Sequence, residues 1–161
     1  MTIKNFQNMY LKELQEARSF EAQLCDALER MKDMASDGDL MDAFGHHLNE
    51  TRGHLEKMDA MLERHGVAAD HTDQSIQSLI AEAENWAQML DDAALRDAGL
   101  LASAQRIEHY EIAAYGTLAC WAKQLGYDED LQDLLSILDE EKAADDKLNG
   151  LAKREINLQA A

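Results

Sequence analysis

Proline is absent from the 161 residues and glycine occurs only eight times. The residues that punctuate strands, tighten turns and break helices are therefore nearly missing. Ala, Leu, Glu, Asp, Lys and Gln dominate instead, which points to an all-α chain built of long helices. A chain of this length is expected to form one domain with a substantial core.

Cysteine is equally scarce. Cys25 and Cys120 stand far apart and form no CxxC pair, which excludes a structural zinc knuckle and a thioredoxin-type motif. Both thiols are expected to be reduced and packed as small hydrophobes. No window approaches the length of an apolar membrane span, and the opening MTIKNFQNMYLKELQEARSF has no continuous apolar stretch of the signal-peptide kind. A cytoplasmic location follows as the expectation.

Basic residues are outnumbered, 15 Lys and Arg against 32 Asp and Glu, for a net charge of −17. Such a surface repels phosphate backbones and anionic lipid, so neither nucleic acid nor membrane is an expected partner. The same field draws cations in. A solvated acidic surface would account for most of this charge without any function.

Helical periodicity then divides the chain. Long helices are expected over about residues 3–35, 40–65, 93–125 and 129–158, with a shorter crossover helix over 74–90. Phe6, Tyr10, Leu14, Ala17, Leu24, Leu28 and Met31 trace the inner stripe of the first. Leu40, Phe44, Leu48, Leu55, Met58 and Leu62 do so on the second, while Leu131, Leu134, Leu138 and Leu148 mark the last. Ser36-Asp37-Gly38 and Gly126 supply the turns of two helical hairpins.

Acids interrupt these stripes where apolar side chains belong. Glu21 fills the missing step between Ala17 and Leu24, and Glu141 and Asp145 fill the two between Leu138 and Leu148. Glu108 and Glu111 lie one turn apart among Leu101, Ala104, Ile112 and Tyr115. On the second helix His47, Glu50 and His54 share one side. Any one of these, taken alone, reads as a helix-edge residue reaching water.

Their depths make them a set. Counted from Asp37, Glu21 lies 16 residues back and Glu50 and His54 lie 13 and 17 forward. Counted from Gly126, Glu111 and Glu108 lie 15 and 18 back, with Glu141 and Asp145 15 and 19 forward. A rise of 1.5 Å per residue puts them all about 20–29 Å from their turns, in one layer of an antiparallel bundle. His47 falls nearer its turn and is read as a polar edge.

Carboxylates gathered in a dry layer repel one another, and neither Lys nor Arg occupies the inner stripes. A pair of divalent cations would make them tolerable, and oxygen donors with a histidine suit iron or manganese. Four-helix bundles build such centres from inward Glu and His, usually with Glu-x-x-His at i, i+3. Here Glu50 and His54 are four apart and the last helix offers Asp145 in place of a histidine. Metal identity and number stay open at this point.

The runs AQRIEHYEIAAYGTLACWAKQLG, HHLNETRGHLEKMD and ILDEEKAADDKL resemble the YciF/YciE family of ferritin-like bacterial stress proteins over nearly the whole chain. That resemblance implies a ferritin-like four-helix bundle with an additional helix, often dimeric and distantly similar to rubrerythrin. Carried over by position, it implies metal ligation by Glu21, Glu50, Glu108, Glu111 and Glu141, with His54 matching less closely. It fixes the fold far better than the reaction.

Three functions fit these residues. One is a di-iron or di-manganese protein reacting with peroxide or dioxygen, with Glu50 and Glu141 bridging and Glu21, Glu108, Glu111 and His54 as terminal ligands. Tyr110 and Tyr115 would be core tyrosines or groups beside the centre, and any electron donor would be a separate protein. The second is a non-enzymatic, metal-stabilised protein of the stress response that engages partners. The third is an interaction module without metal.

Overall fold

The computed structural model describes residues 3–161. Helix α1 spans Phe6–Met34, α2 Gly38–Arg64, α3 Gln74–Met89, α4 Ala93–Leu125 and α5 Asp128–Leu151. A π-helical turn over Ala152–Ile156 and a short α6, Asn157–Ala160, end the chain. Among the described residues there is no strand. The starts of α1 to α4 are set by short polar side chains: Asn5, Asp37, Asp73 and Asp92 accept from backbone N–H groups inside the first turn. The Asn5 cap is why α1 begins at Phe6 and not at Ile3. Gly126, at φ 74°, closes α4 in the left-handed region, where a side chain would be strained.

The helices form an antiparallel four-helix bundle of two hairpins, α1–α2 and α4–α5, and α3 packs along α1 and α4 as the crossover. The turn of the first hairpin docks on the start of α4, where the Asp97 carboxylate accepts the Ser36 and Asp37 N–H groups, both at 2.8 Å. At the other end Asp130, on the first turn of α5, accepts from the Tyr10 hydroxyl at 2.7 Å and from the Arg64 guanidinium at 2.7 Å. The two hairpin turns therefore lie at opposite ends of the bundle. Gly99 lets the α3–α4 link close tightly, since a Cβ there would stand 2.7 Å from Leu90.

Two apolar clusters fill the interior. One gathers Tyr10, Leu14, Phe20, Met58, Tyr115, Leu118, Leu134 and Ile137, the other Leu28, Met31, Leu40, Phe44, Leu100, Leu101, Leu148 and Ile156. Each buried side chain of this size stabilises the fold by about 1.5–3 kcal/mol. On α2 no buried apolar residue falls between Leu48 and Met58, and on α5 none falls between Leu138 and Leu148. The polar layer sits in that gap.

Some expectations shift. Phe6 is substantially exposed, because it is the first residue of its helix and lies beyond full cover by neighbours. Cys120 is exposed, and only Cys25 is partly packed. The last helix is not continuous to residue 158, because the π turn interrupts it. Among the described residues no helix is long and apolar enough to cross a membrane.

Candidate metal centre

Each long helix brings its share of the layer by ordinary helical spacing. Glu21 follows Ala17 by four on the buried side of α1. His47, Thr51 and His54 stand three to four apart on α2, all buried. Glu108, Glu111 and Tyr115 do the same on α4, and Glu141 sits on the buried side of α5. Glu21, Glu111, Glu141 and His54 are wholly buried, and Glu108 and His47 nearly so.

The donors fall into two adjoining groups. His47, Glu108, Glu111 and Glu141 each place one ligand atom within 4.8 Å of the others, and Glu21, His54 and Glu141 form a second such group. Glu141 belongs to both. In the first, His47 Nε2 is 3.1 Å from Glu108 and 3.5 Å from Glu141. In the second, His54 Nδ1 is 2.9 Å from Glu141 and 3.5 Å from Glu21.

These distances suit hydrogen bonds, yet the directions do not. Both imidazole nitrogens, one oxygen each of Glu21 and Glu108, and both oxygens of Glu111 and of Glu141 are buried without a hydrogen-bond partner. Buried native carboxylates are ordinarily hydrogen-bonded, so eight unpartnered atoms in one place need a reason. The outward atoms are provided for: His54 Nε2 meets Glu140 at 2.7 Å, His47 Nδ1 meets Glu50 at 3.4 Å, and the Tyr115 hydroxyl donates to Glu21. Outer contacts of this kind hold a ligating side chain in one orientation.

Four carboxylates face two imidazoles, and the ion pairs that Glu21, Glu108 and Glu141 make among the described residues are with these histidines and not with Lys or Arg. Even with both imidazoles protonated, two negative charges remain uncompensated, so protons or cations must enter. Without a cation, burial and then the charges of Glu141, Glu21 and Glu108 push the Glu111 carboxyl well above its usual range. Burial likewise raises Glu21 and Glu141, although the His54 imidazole partly offsets it. Burial pulls His54 down, but Glu141 and Glu21 beside it prevail and push it up to about 10. His47 also rises, because Glu108 and Glu50 outweigh its burial. Neighbouring donors around a cation bonded at about 2.1 Å lie about 3 Å apart, the spacing seen here. The donor set fits hard or borderline divalent metals.

Of the residues singled out in the sequence, Glu21, His54, Glu108, Glu111 and Glu141 come together. Glu50 and Asp145 enter neither group. Glu50 stands on the outer side of His47, 3.4 Å from Nδ1 and partly exposed, so it is not placed to bridge the two groups. Asp145 turns toward α4 and accepts from Asn149 at 3.0 Å, with His109 at 3.6 Å. His47, read from the sequence as a polar edge, lies inside the first group. Its depth count began at Asp37, while that of Glu108 began at Gly126, at the far end of the bundle. A residue 10 steps from one turn therefore meets one 18 steps from the other. Counting from the Ser36–Asp97 contact recovers it, since Glu108 is 11 residues beyond Asp97.

Comparison with known proteins places this geometry among relatives. The family model described as Domain of unknown function (DUF892) matches residues 5–161. Protein YciF of Escherichia coli (strain K12) is 38% identical over 162 residues, spanning 99% of this chain and 98% of its own. The crystal structure of the E. coli stress protein YciF superposes with a TM-score of 0.91 at 38% identity, over 96% of this chain and 99% of that one. YcfI from Rhodopseudomonas palustris, for which a structural role has been suggested, superposes with a TM-score of 0.88 at 37% identity, over 91% and 94%.

Proposed function

The chain belongs to the DUF892 family, and on that premise we propose that it holds a dinuclear iron or manganese centre in the bundle core. The observation that carries this reading is the set of eight buried donor atoms without hydrogen-bond partners, arranged as two groups that share Glu141. His47, Glu108 and Glu111 would hold one ion, Glu21 and His54 the other, and Glu141 both. When bound, such ions supply a redox pair able to deliver electrons to peroxide or dioxygen.

The protein's own residues prepare that chemistry. Tyr115 holds Glu21 through its hydroxyl, and Glu140 holds the far nitrogen of His54. The apolar clusters above and below close the two ends of the layer, and the low dielectric they provide strengthens the interactions within it. With only two cysteines the chain has no four-cysteine electron-transfer module, so the donor is a separate protein. We place the protein in the cytoplasm as a homodimer.

Elemental analysis of protein expressed in iron- and manganese-supplemented cells tests the centre, together with an anomalous map at the metal edge. Two ions per chain are expected, and neither ion in Glu141→Gln. Wild-type protein without a transition metal would remove the reading. The second reading, a metal-stabilised structural or interaction protein of the stress response, draws support from the role suggested for YcfI. It predicts a metal-dependent melting temperature with no consumption of peroxide beyond that of free iron.

A further inference from the structure

A cavity of about 230 Å³ opens between α2 and α5 and ends on the first donor group. Its walls are apolar and partly small, with Ala43 and Phe44 on one side and Ala144 and Leu148 on the other. His47 and Glu108, both more than nine-tenths buried, form its floor. Behind that floor, one nitrogen of His47 and one oxygen of Glu108 are fully buried without hydrogen-bond partners. The cavity is thus an apolar sleeve that runs from the surface to the two polar residues at the edge of the first donor group.

Its size and lining select what enters. An apolar cavity of about 150 Å³ accepts benzene, so this one has room for a single-ring or short branched molecule with a polar head. It is far larger than dioxygen or hydrogen peroxide needs. The lining carries Glu50 and Glu108 against Lys147, His46 and His47, with no strong excess of either sign. The overall charge of −17 repels anions. Lys147, His46 and His47 in the lining disfavour a cation there, and a neutral molecule with one O–H head fits.

We propose that the α2–α5 cavity binds a small neutral organic hydroperoxide, or the alcohol derived from it, with the apolar tail against Phe44, Ala144 and Leu148 and the O–H head on the His47–Glu108 floor. The assignment rests on the reading of the layer as a metal centre and names its substrate class. Reduction breaks the O–O bond and yields the alcohol and water, consuming two protons from solvent and two electrons supplied by a separate electron-transfer protein, or by dithionite in the assay.

The test begins without metal. Cumyl alcohol, the unreactive product of cumene hydroperoxide, is titrated into metal-free protein and followed by NMR. Saturable one-to-one binding is expected, with shifts confined to α2 and α5 around Ala43, His47 and Ala144. Ala144→Phe, which fills the sleeve, and Ala143→Trp, on the exposed lip where folding is not at risk, are each expected to weaken binding at least tenfold. Absence of saturable binding, shifts elsewhere, or wild-type affinity in both variants overturns the proposal. In metal-loaded protein with dithionite, the rate ratio of cumene hydroperoxide to hydrogen peroxide is expected to fall at least tenfold in Ala144→Phe, and an unchanged ratio overturns the hydroperoxide assignment. Full metal content with no alcohol bound sinks the pocket and leaves the centre standing. Alcohol binding in protein that takes up no metal supports the pocket and sinks the centre.

Discussion

Two buried carboxylate sites in this bundle have opposite provisions. Asp130, at one end, accepts from the Tyr10 hydroxyl, from Arg64 through two nitrogens, and meets His65 Nε2 at 2.6 Å. Three helices are tied there, and the lowered Asp130 carboxyl reflects those partners prevailing over burial. Glu111, at mid-bundle, is equally buried and has no partner for either oxygen. A buried acid with its hydrogen bonds complete is a structural fastening. A buried acid with none, beside three others, is expected to lower the stability of the bare protein, and under the proposed function it serves to hold a cation.

The sharpest way to break this contrast is to remove each acid from metal-free protein. Asp130→Ala is expected to cost about 3 kcal/mol in urea unfolding, since it strands Tyr10 and Arg64. Glu111→Leu is expected to act in the other direction, raising stability by about 1–3 kcal/mol, as apolar replacements of buried charge do. Loss of stability in Glu111→Leu would contradict the contrast. Next in size, manganese at one hundred times its Kd should raise wild-type stability by about 2.7 kcal/mol and leave Glu141→Gln unmoved. Glu140→Leu, which removes only the outer contact of His54, should weaken metal binding about 10–100-fold in a competition titration.

The smallest effect is in pH. His54 in the bare fold is raised from 6.5 to about 10, so its contribution is complete below 6.5 and is lost as pH climbs toward 10. The raised carboxyls of Glu21, Glu111 and Glu141 act in the same sense. Asp130, lowered from 3.8, acts oppositely, its contribution being lost as pH falls below that value. The urea midpoint of metal-free protein should therefore decline as pH rises from about 4.5, where the carboxyls begin to be penalised, to about 10. Asp130→Asn should remove sensitivity only on the acid side.

The helices and the acids that break their stripes were legible because both follow from spacing along a single helix. Glu21, Glu108, Glu111 and Glu141 each stand where a Leu would fit the pattern. Relations between helices were harder to read. A depth count from the turns reads His47 as an edge because the two turns lie at opposite ends of the bundle, and His47 and Glu50 stand less than one helical turn apart on α2. The Asp130 fastening left no trace in the pattern, since Tyr10 lies 120 residues away and an acid in the first turn of a helix reads as a dipole-compensating residue.

The two hairpins divide the donors unequally. The α1–α2 hairpin carries both histidines and one acid, and the α4–α5 hairpin carries three acids. Neither donor group is complete within one hairpin, so a cation gains its full grip only after the halves have docked. Bound metal should then slow the parting of the hairpins far more than it hastens their meeting, and the half-life of the folded protein becomes a gauge of occupancy.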